Sequence, residues 1–461
     1  MSKISMIFPM LIVCAGCATP TIKDSVKITP ITIVSPSLHG GRLLGGDGLD
    51  WGNAIASRDD GSYTLFGRTH KSFGESTDLF VASYGPDAEL LWANTYGGTH
   101  KEYLKQGILT RDGGYLLSGG SQSLFFTALK VFSPARPPRP IALKLDAVGA
   151  VEWAMTIDDW RLEVEDVIQM KDGTYLFVGD RWEAEDSDNV DIYAMKVSAQ
   201  GAIVWAYRYD GNLIDVAFGG VRGNVDASAV IAGYTMVDQG SANLLVMKID
   251  RQGLPLWAKS YEAEKHQTPA AMTSFPDGTY AVTGWSGEQD PPEKDIFVTR
   301  VSGEGELMWY QLYGTPDRDE ALSILKGHGA DIVVVGRTGM PEQGQEDGTA
   351  LLIGSDGVLK AATLVQGHLN DELMAAAVDA RDGYLLFGDT ESFSASYADQ
   401  LLFRWSPGAA QATAPFSQRA LNAKSVSMHV GYLPLDIRRT DISDHIETKR
   451  LTVRQTGGRA Q

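Results

Sequence analysis

The sequence predicts an all-β protein made of seven copies of one four-stranded unit, and three observations lead there. Short apolar runs end in glycine at Gly67, Gly119, Gly179, Gly233, Gly284, Gly336 and Gly388, with steps of 52, 60, 54, 51, 52 and 52 residues. A tryptophan strand, "ELLWANTYGG" at its first occurrence, returns with Trp92, Trp153, Trp205, Trp257 and Trp309, spaced 61, 52, 52 and 52 apart. A tight turn, typically Asp-Gly as in "DGGYLLSGG", stands before most of the glycine-ended runs, and the 50 glycines of the 461 residues suit a fold with many such turns.

Each unit reads as four strands. The first is an apolar stretch such as "NAIASR" or "EALSIL". An Asp-Gly turn follows, whose residues tolerate the positive φ that a hairpin demands. The second strand is the glycine-ended run. A polar loop of variable length leads to the third, seen as "DLFVAS", "DIYAMKV", "NLLVMKID" or "DIFVTRV". A second turn opens the fourth, the tryptophan strand, which the sixth and seventh units carry with Ala361 and Thr413 in place of the indole. Four antiparallel strands repeated about every 50 residues form the blade of a β-propeller, so the predicted fold is a seven-bladed β-propeller of four-stranded antiparallel blades.

In four copies a tyrosine stands four residues after the tryptophan: Tyr96, Tyr209, Tyr261 and Tyr313. An even offset puts both rings on one face of a strand. That face needs a cover, and the neighbouring blade supplies it. Packing between blades is therefore the expected role of these rings, in preference to an aromatic ligand platform.

The chain divides into 1–17, 18–40, 41–412 and 413–461. It opens with MSKISMIFPMLIVCAGC, one lysine, a ten-residue apolar run and small residues, too short to span a bilayer and suited to a signal peptide. Ala15-Gly16-Cys17 resembles the lipobox of bacterial lipoproteins, which implies that Cys17 becomes the acylated first residue. An ordinary signal peptide cut nearby is the alternative. Residue 18 is alanine and not aspartate, which by the same resemblance implies the outer membrane, with the body facing the periplasm. Residues 18–40, rich in Thr, Pro and Ser, read as a tether. The repeat ends near Ala412, and "KSVSMHVGYLPLDIRR" then alternates like a strand. This segment, or "VKITPITIVSP" near the start, is a candidate to complete a blade.

The formal charge of −18 argues against nucleic acid or an anionic lipid surface as a partner of the body. From Gln418 onward eight Lys/Arg face four Asp/Glu, a surplus of four positive charges that leaves −22 on the rest. Both cysteines, Cys14 and Cys17, lie in the leader, so the body uses neither disulfide nor thiol chemistry.

The units resemble the DGGY-type propeller repeats of exported bacterial and archaeal proteins. The "G-x-x-x-W" strand is similar to that of pyrroloquinoline-quinone-like propellers, among them BamB-type outer-membrane assembly lipoproteins. The quinone-dependent members use an adjacent cysteine pair and calcium ligands, and no cysteine follows Cys17, so no cofactor and no metal is expected. The BamB-like members imply a binding surface. No nucleophile elbow, H-E-x-x-H or phosphate loop is present. The expected function is thus a non-enzymatic scaffold of the cell envelope that meets envelope proteins through loops and channel mouths. The alternatives are a propeller enzyme, either a polysaccharide hydrolase or lyase or a degenerate quinoprotein, and passive capture of a sugar or metal.

Three groups of residues are candidates. Seventeen or eighteen positions before the closing glycines stand Asp50, Glu102, Asp215, Asp319 and Asp371, with Gln267 in the fifth unit. Such carboxylates can ring a channel mouth and attract a cation or a basic segment. They can equally satisfy backbone N–H groups, or pair with Lys144, Lys196, Lys248, Arg300 and Arg404 of the third strands. The insertion of the second unit, "SQSLFFTALKVFSPARPPRP", offers Phe125, Phe126, Phe132, Arg136 and Arg139 as a partner-binding loop, or folds over its own blade. The loop with Glu183, Glu185, Asp186, Asp188 and Asp191 reads as solvated acid without calcium-loop spacing. The eight histidines fall at irregular offsets and read as surface residues.

Overall fold

Glycine 336 shows how the repeat builds a blade. It pairs with Ala321 where the register of the inner strand Arg318–Lys326 slips, and a Cβ there would lie 1.9 Å from the Glu320 carbonyl oxygen. All seven closing glycines meet an inner-strand carbonyl in this way, at 1.8–2.1 Å from where the Cβ would be. The bulge sharpens the local twist, and only a residue without a side chain lets the two backbones approach so closely. The period in the sequence is the period of this bulge.

The computed structural model is a seven-bladed β-propeller with no helix among the described residues. It describes 42–457 except 46–49, 71–76, 99, 123–137, 158, 184–188, 211–214, 224–225, 237–241, 289–293, 341–344, 394–397, 408–416, 421–423, 429–430, 435–438, 442–446 and 451–453, with backbone alone from 408 onward. Blades 1 to 6 occupy 50–97, 102–157, 162–210, 215–262, 266–314 and 318–365, and blade 7 takes 371–405. The inner strands Asp50–Ser57, Glu102–Leu109, Leu162–Gln169, Asp215–Gly223, His266–Ser274, Arg318–Lys326 and Asp371–Asp379 touch one another in a closed circle. The face on which they begin is called upper here; the Asp-Gly hairpins lie on the lower one.

The ring closes with the N-terminal strand Arg42–Gly45, which pairs with Asp399–Trp405 and is the fourth strand of blade 7. The N-terminal candidate 26–36 and the seventh-unit position Thr413 lie outside the described residues. The C-terminal candidate takes another place. Six short strands of the tail run round the rim as a fifth strand: Ser417–Ala420 on blade 5, Lys424–Met428 on blade 4, Gly431–Pro434 on blade 3, Arg439–Asp441 on blade 2, Glu447–Arg450 on blade 1 and Arg454–Gly457 on blade 7. Their starts advance by seven or eight residues per blade. Among the described residues six sheets are thus five-stranded, and the sheet of blade 6 has four.

Seven apolar clusters fill the seven seams between blades. The tryptophan and tyrosine of the outer strand belong to these seams. Tyr96, Tyr209, Tyr261 and Tyr313 are wholly buried. Each donates its hydroxyl to the carbonyl of a glycine in the next blade's outer turn: Gly149 at 2.6 Å, Gly253 at 2.9 Å, Gly305 at 2.8 Å and Gly357 at 2.6 Å. The indoles of Trp153, Trp205 and Trp309 likewise donate to Ala199, Arg251 and Ser355 of the following blade. This explains the loss of both rings from blade 6. In blade 7 the third and fourth strands come from opposite ends of the chain and share no hairpin, so Ala361 and Val365 of blade 6 have no such turn to reach.

Candidate functional site

The upper face is built from the heads of the inner strands, the ends of the second strands and the starts of the third. Asp50, Glu102, Asp215, Asp319 and Asp371 all stand at inner-strand heads, and their exposure is only 4, 2, 2, 0 and 1%. Each pairs across the ladder with a Thr or Ser of the second strand: Thr69, Ser121, Thr235, Thr338 and Thr390, while Gln267 pairs with Ser286. Ser121 Oγ donates to Glu102 at 2.8 Å, and Thr390 Oγ1 to Asp371 at 2.5 Å. Asp319 accepts from the Thr315 N–H at 2.7 Å and the Thr315 hydroxyl at 3.0 Å.

A second acid faces several of these from the preceding blade. Burial pushes the Asp319 carboxyl up to about 7, with Asp295 adding to the rise against hydrogen bonds from Thr338 and Thr315. Burial also raises Asp371, and the charge of Asp347 adds to it. Asp191 is pushed up to about 6 by burial and by Asp210 and Asp215, although Arg208 opposes this. Asp191 therefore departs from the solvated-acid reading of its loop: it is wholly buried and sits 3.2 Å from Arg208. Glu185, Asp186 and Asp188 lie outside the described residues. At the seam of blades 4 and 5 amides occupy both positions, Asn243 and Gln267, and Gln267 accepts from the Leu244 N–H at 3.2 Å.

The third-strand bases work at the other end of the blades. Lys144 contacts Asp112 at 2.9 Å and Glu152 at 2.9 Å, Lys196 contacts Asp172 at 2.8 Å, Arg300 contacts Asp277 at 2.9 Å, and Arg404 contacts Asp379 at 2.5 Å. These acids are in or beside the lower hairpins. The strand heads and the bases thus satisfy different partners, separated by the length of the strand.

Charge and aromatic surface concentrate on the rest of the upper face. Glu320 accepts from Lys294 at 2.8 Å, Arg318 at 2.5 Å and Arg337 at 2.7 Å; burial would raise its carboxyl, but these three cations hold it down at about 2. Arg337 also reaches Glu372 of blade 7 at 2.6 Å. His266 stacks on Trp285 with centroids 5.2 Å apart, and the Lys294 ammonium lies 3.7 Å from that ring. Trp51 lies between the Arg68 guanidinium at 4.5 Å and His70 at 5.2 Å.

A groove of about 580 Å³ runs across blades 1 to 3, lined by Arg68, Tyr103, Lys105, Trp160, Glu163 and Trp182, with apolar walls from Leu104, Leu162 and Val164. Gly119, Gly120, Pro138 and Pro140 also border it, so it opens at the two stems of the second-unit insertion. Arg139 stands at that stem, half-buried, in register with Ser121; Phe125, Phe126, Phe132 and Arg136, like Cys17, lie outside the described residues. Lys105 is held by Glu163 at 2.7 Å and Glu165 at 2.8 Å. Half-exposed indoles with an arginine, an ion pair and the Asn53 amide can stack on a flat or apolar ligand face and fix its polar groups. Among the described residues no group of three or more His, Cys, Asp or Glu is placed to hold a metal ion.

Sequence reasoning missed the aromatic members of this face. Of the ten tryptophans, five follow the strand period. Of the other five, Trp405 ends the third strand of blade 7 on the lower face, whereas Trp51, Trp160, Trp182 and Trp285 lie at the upper ends of strands or in the connections between them. Departure from the period was the available signal.

No protein-family model matches the chain, and no curated protein sequence matches it. Solved structures of similar architecture include Sqt1 from Chaetomium thermophilum, at 11% identity over 81% of this chain and 88% of that one, TM-score 0.42. An ulvan lyase, a polysaccharide lyase bound to a GlcA–Rha3S unit, is 10% identical over 80% and 92%, TM-score 0.46. A protein of unknown function from Dyadobacter fermentans is 12% identical over 80% and 98%, TM-score 0.43. At these identities the likeness concerns the fold alone. The expectation that the chain is not an enzyme is withdrawn, because a polysaccharide lyase is among these neighbours and one propeller architecture serves binding proteins and catalysts alike.

Proposed function

We propose that the chain is a cell-envelope interaction scaffold, anchored to the outer membrane through acylated Cys17 and presenting its upper face to envelope proteins of the periplasm. The observation that carries this is the groove across blades 1 to 3, where Tyr103, Trp160 and Trp182 stand beside Arg68 at the stems of the longest insertion. Aromatic and arginine side chains in a partly desolvated groove are what protein partners anchor on. The acidic body supports a protein partner over nucleic acid.

The test is affinity capture of full-length protein from detergent-solubilised envelopes. A partner should co-purify in stoichiometric amount and be lost from the Trp160→Ala and Trp182→Ala variants, both of which keep the wild-type melting temperature. Cys17→Ser should release the protein from the membrane fraction. If capture returns nothing, or the same proteins from both variants, the groove is not the contact.

The same aromatic surface favours a second reading, a polysaccharide ligand, since indole faces stack on sugar rings. Binding of acidic and neutral oligosaccharides to the wild type, abolished by Trp160→Ala, separates it from the first.

A further inference from the structure

Among the described residues seven large apolar side chains are exposed, and six of them share one level of the ring. Leu91, Val148, Val204, Leu256, Met308 and Val358 stand one on each of blades 1 to 6, all 51 to 68% exposed. Each lies in the turn from third to fourth strand or at the second residue of the fourth strand, which is the lower outer corner of its blade. The seventh, Leu369, is in the connection to blade 7 on the upper side. In blades 1, 3, 4 and 5 the apolar residue directly precedes the tryptophan of the outer strand. Blade 2 has Glu152 at that position and blade 6 has Lys360, and there the turn before it supplies Val148 and Val358. Scattered apolar residues on a surface need no explanation; one per blade at one level, restored where the repeat departs, points to a contact. Half-buried Trp92, Trp205, Trp257 and Trp309 adjoin four of them, and an indole is a side chain that settles at the boundary of lipid and water.

Contacts spaced round a ring are met together only by a partner that is flat and wider than the ring. A globular protein at the side reaches the nearest corners alone. The entry of the chain marks the same side. Arg42–Gly45 pairs antiparallel with Asp399–Trp405, which descends from the upper face, so Arg42–Gly45 rises from the lower one and the chain joins blade 7 from the side that bears the apolar corners. Exposed Asp87, Glu304 and Asp356 in the outer turns of blades 1, 5 and 6 disfavour an anionic lipid and suit headgroups that end in an ammonium group. Resting on the scaffold reading above, we propose that the lower rim is the membrane-contacting surface of the protein: the propeller sits on a bilayer of ethanolamine and choline phospholipids, its six apolar corners in the headgroup layer and its groove turned away. Shallow burial of these side chains adds to what an acyl anchor supplies and fixes which face the partner meets.

Site-specific quenching in vesicles decides it. No cysteine follows Cys17, so Leu256→Cys, Met308→Cys and Leu369→Cys each place one thiol for a fluorescent label on the body of the protein purified from membranes, and the unsubstituted protein supplies the blank. The first two positions are on the lower rim, and the third is a similarly exposed control on the upper side. In vesicles of phosphatidylethanolamine and phosphatidylcholine, a nitroxide carried on the lipid headgroup should quench the two rim labels about threefold or more over the control label, and iodide in the water should quench them less. Adding Leu91→Asp and Val204→Asp, both exposed on the rim, should bring lipid quenching of the Leu256→Cys label down to that of the control, with the melting temperature unchanged. Equal lipid quenching at all three positions, or more at the control, would overturn the proposal, and sedimentation of such a protein would show whether a second copy covers the rim. Rim quenching that survives the two aspartates would overturn it too. The labels compare two sides of one molecule and so read its orientation whatever holds it to the vesicle, whereas membrane fractionation of the wild type and Cys17→Ser reads the anchor by itself.

Discussion

Asp319→Asn should stabilise the protein at pH 8 and leave it nearly unchanged at pH 4. The carboxyl is wholly buried at the seam of blades 5 and 6, and burial with the nearby Asp295 lifts it from 3.8 to about 7. The folded state therefore keeps this proton to higher pH than the unfolded chain does. Below about 4 both states are protonated and nothing is lost; stability falls as pH rises from about 4 to about 7, and above that the full penalty applies. A shift of about three units corresponds to about 4 kcal/mol at 1.36 kcal/mol per unit. Local relaxation reduces this, and about 1–3 kcal/mol of net gain at pH 8 is expected. Asparagine keeps the acceptor for the Thr315 N–H, and the chain already uses the neutral pair Asn243 and Gln267 at the next seam. Guanidinium unfolding followed by tryptophan fluorescence, at steps from pH 4 to pH 8, measures the difference. Equal destabilisation by Asp319→Asn at both ends of the range would refute the reasoning, because a cost that does not change with pH would mean that folding does not raise the pKa of this carboxyl.

Three further outcomes follow from the same geometry. Glu320→Gln should destabilise at neutral pH by up to about 3 kcal/mol; its carboxyl is held at about 2 against 4.5, so its contribution is present above about 4.5 and lost as pH falls towards 2, which urea titrations at pH 7 and pH 3 would show. Tyr313→Phe removes the hydroxyl that donates to the buried Gly357 carbonyl and should cost about 1–3 kcal/mol, with exchange at blade 6's outer turn rising in step. Gly336→Ala forces a Cβ into contact with the Glu320 carbonyl and should cost about 3 kcal/mol or more, seen as a lower melting temperature or as insoluble protein.

The blades were legible because each must solve the same local problem. A bulge opposite the second strand demands glycine, a tight hairpin tolerates Asp-Gly, and a ring that reaches the next blade's turn must be Trp or Tyr at a fixed offset. The upper face was not legible in this way. Trp160 lies in the connection between blades 2 and 3, Trp182 in blade 3 and Tyr103 in blade 2, and only the curvature of the ring brings them to one groove. The strand-head acids were visible as a series, but their surroundings were not: register sets each of them opposite a Ser or Thr and, at several seams, beside an acid of the neighbouring blade.

The sequence by itself determined the number of blades, the order of strands within them and the packing role of the Trp-x-x-x-Tyr strand, since these follow from short-range spacing and steric need. Tertiary structure alone decided that the N-terminal strand closes the ring, that described strands of the tail run along the outer edges of six blades, and that burial lifts the acids of the seams. Those outcomes depend on which distant edges meet in space, and strand pairing between chain ends carries no periodic mark in the residues that form it.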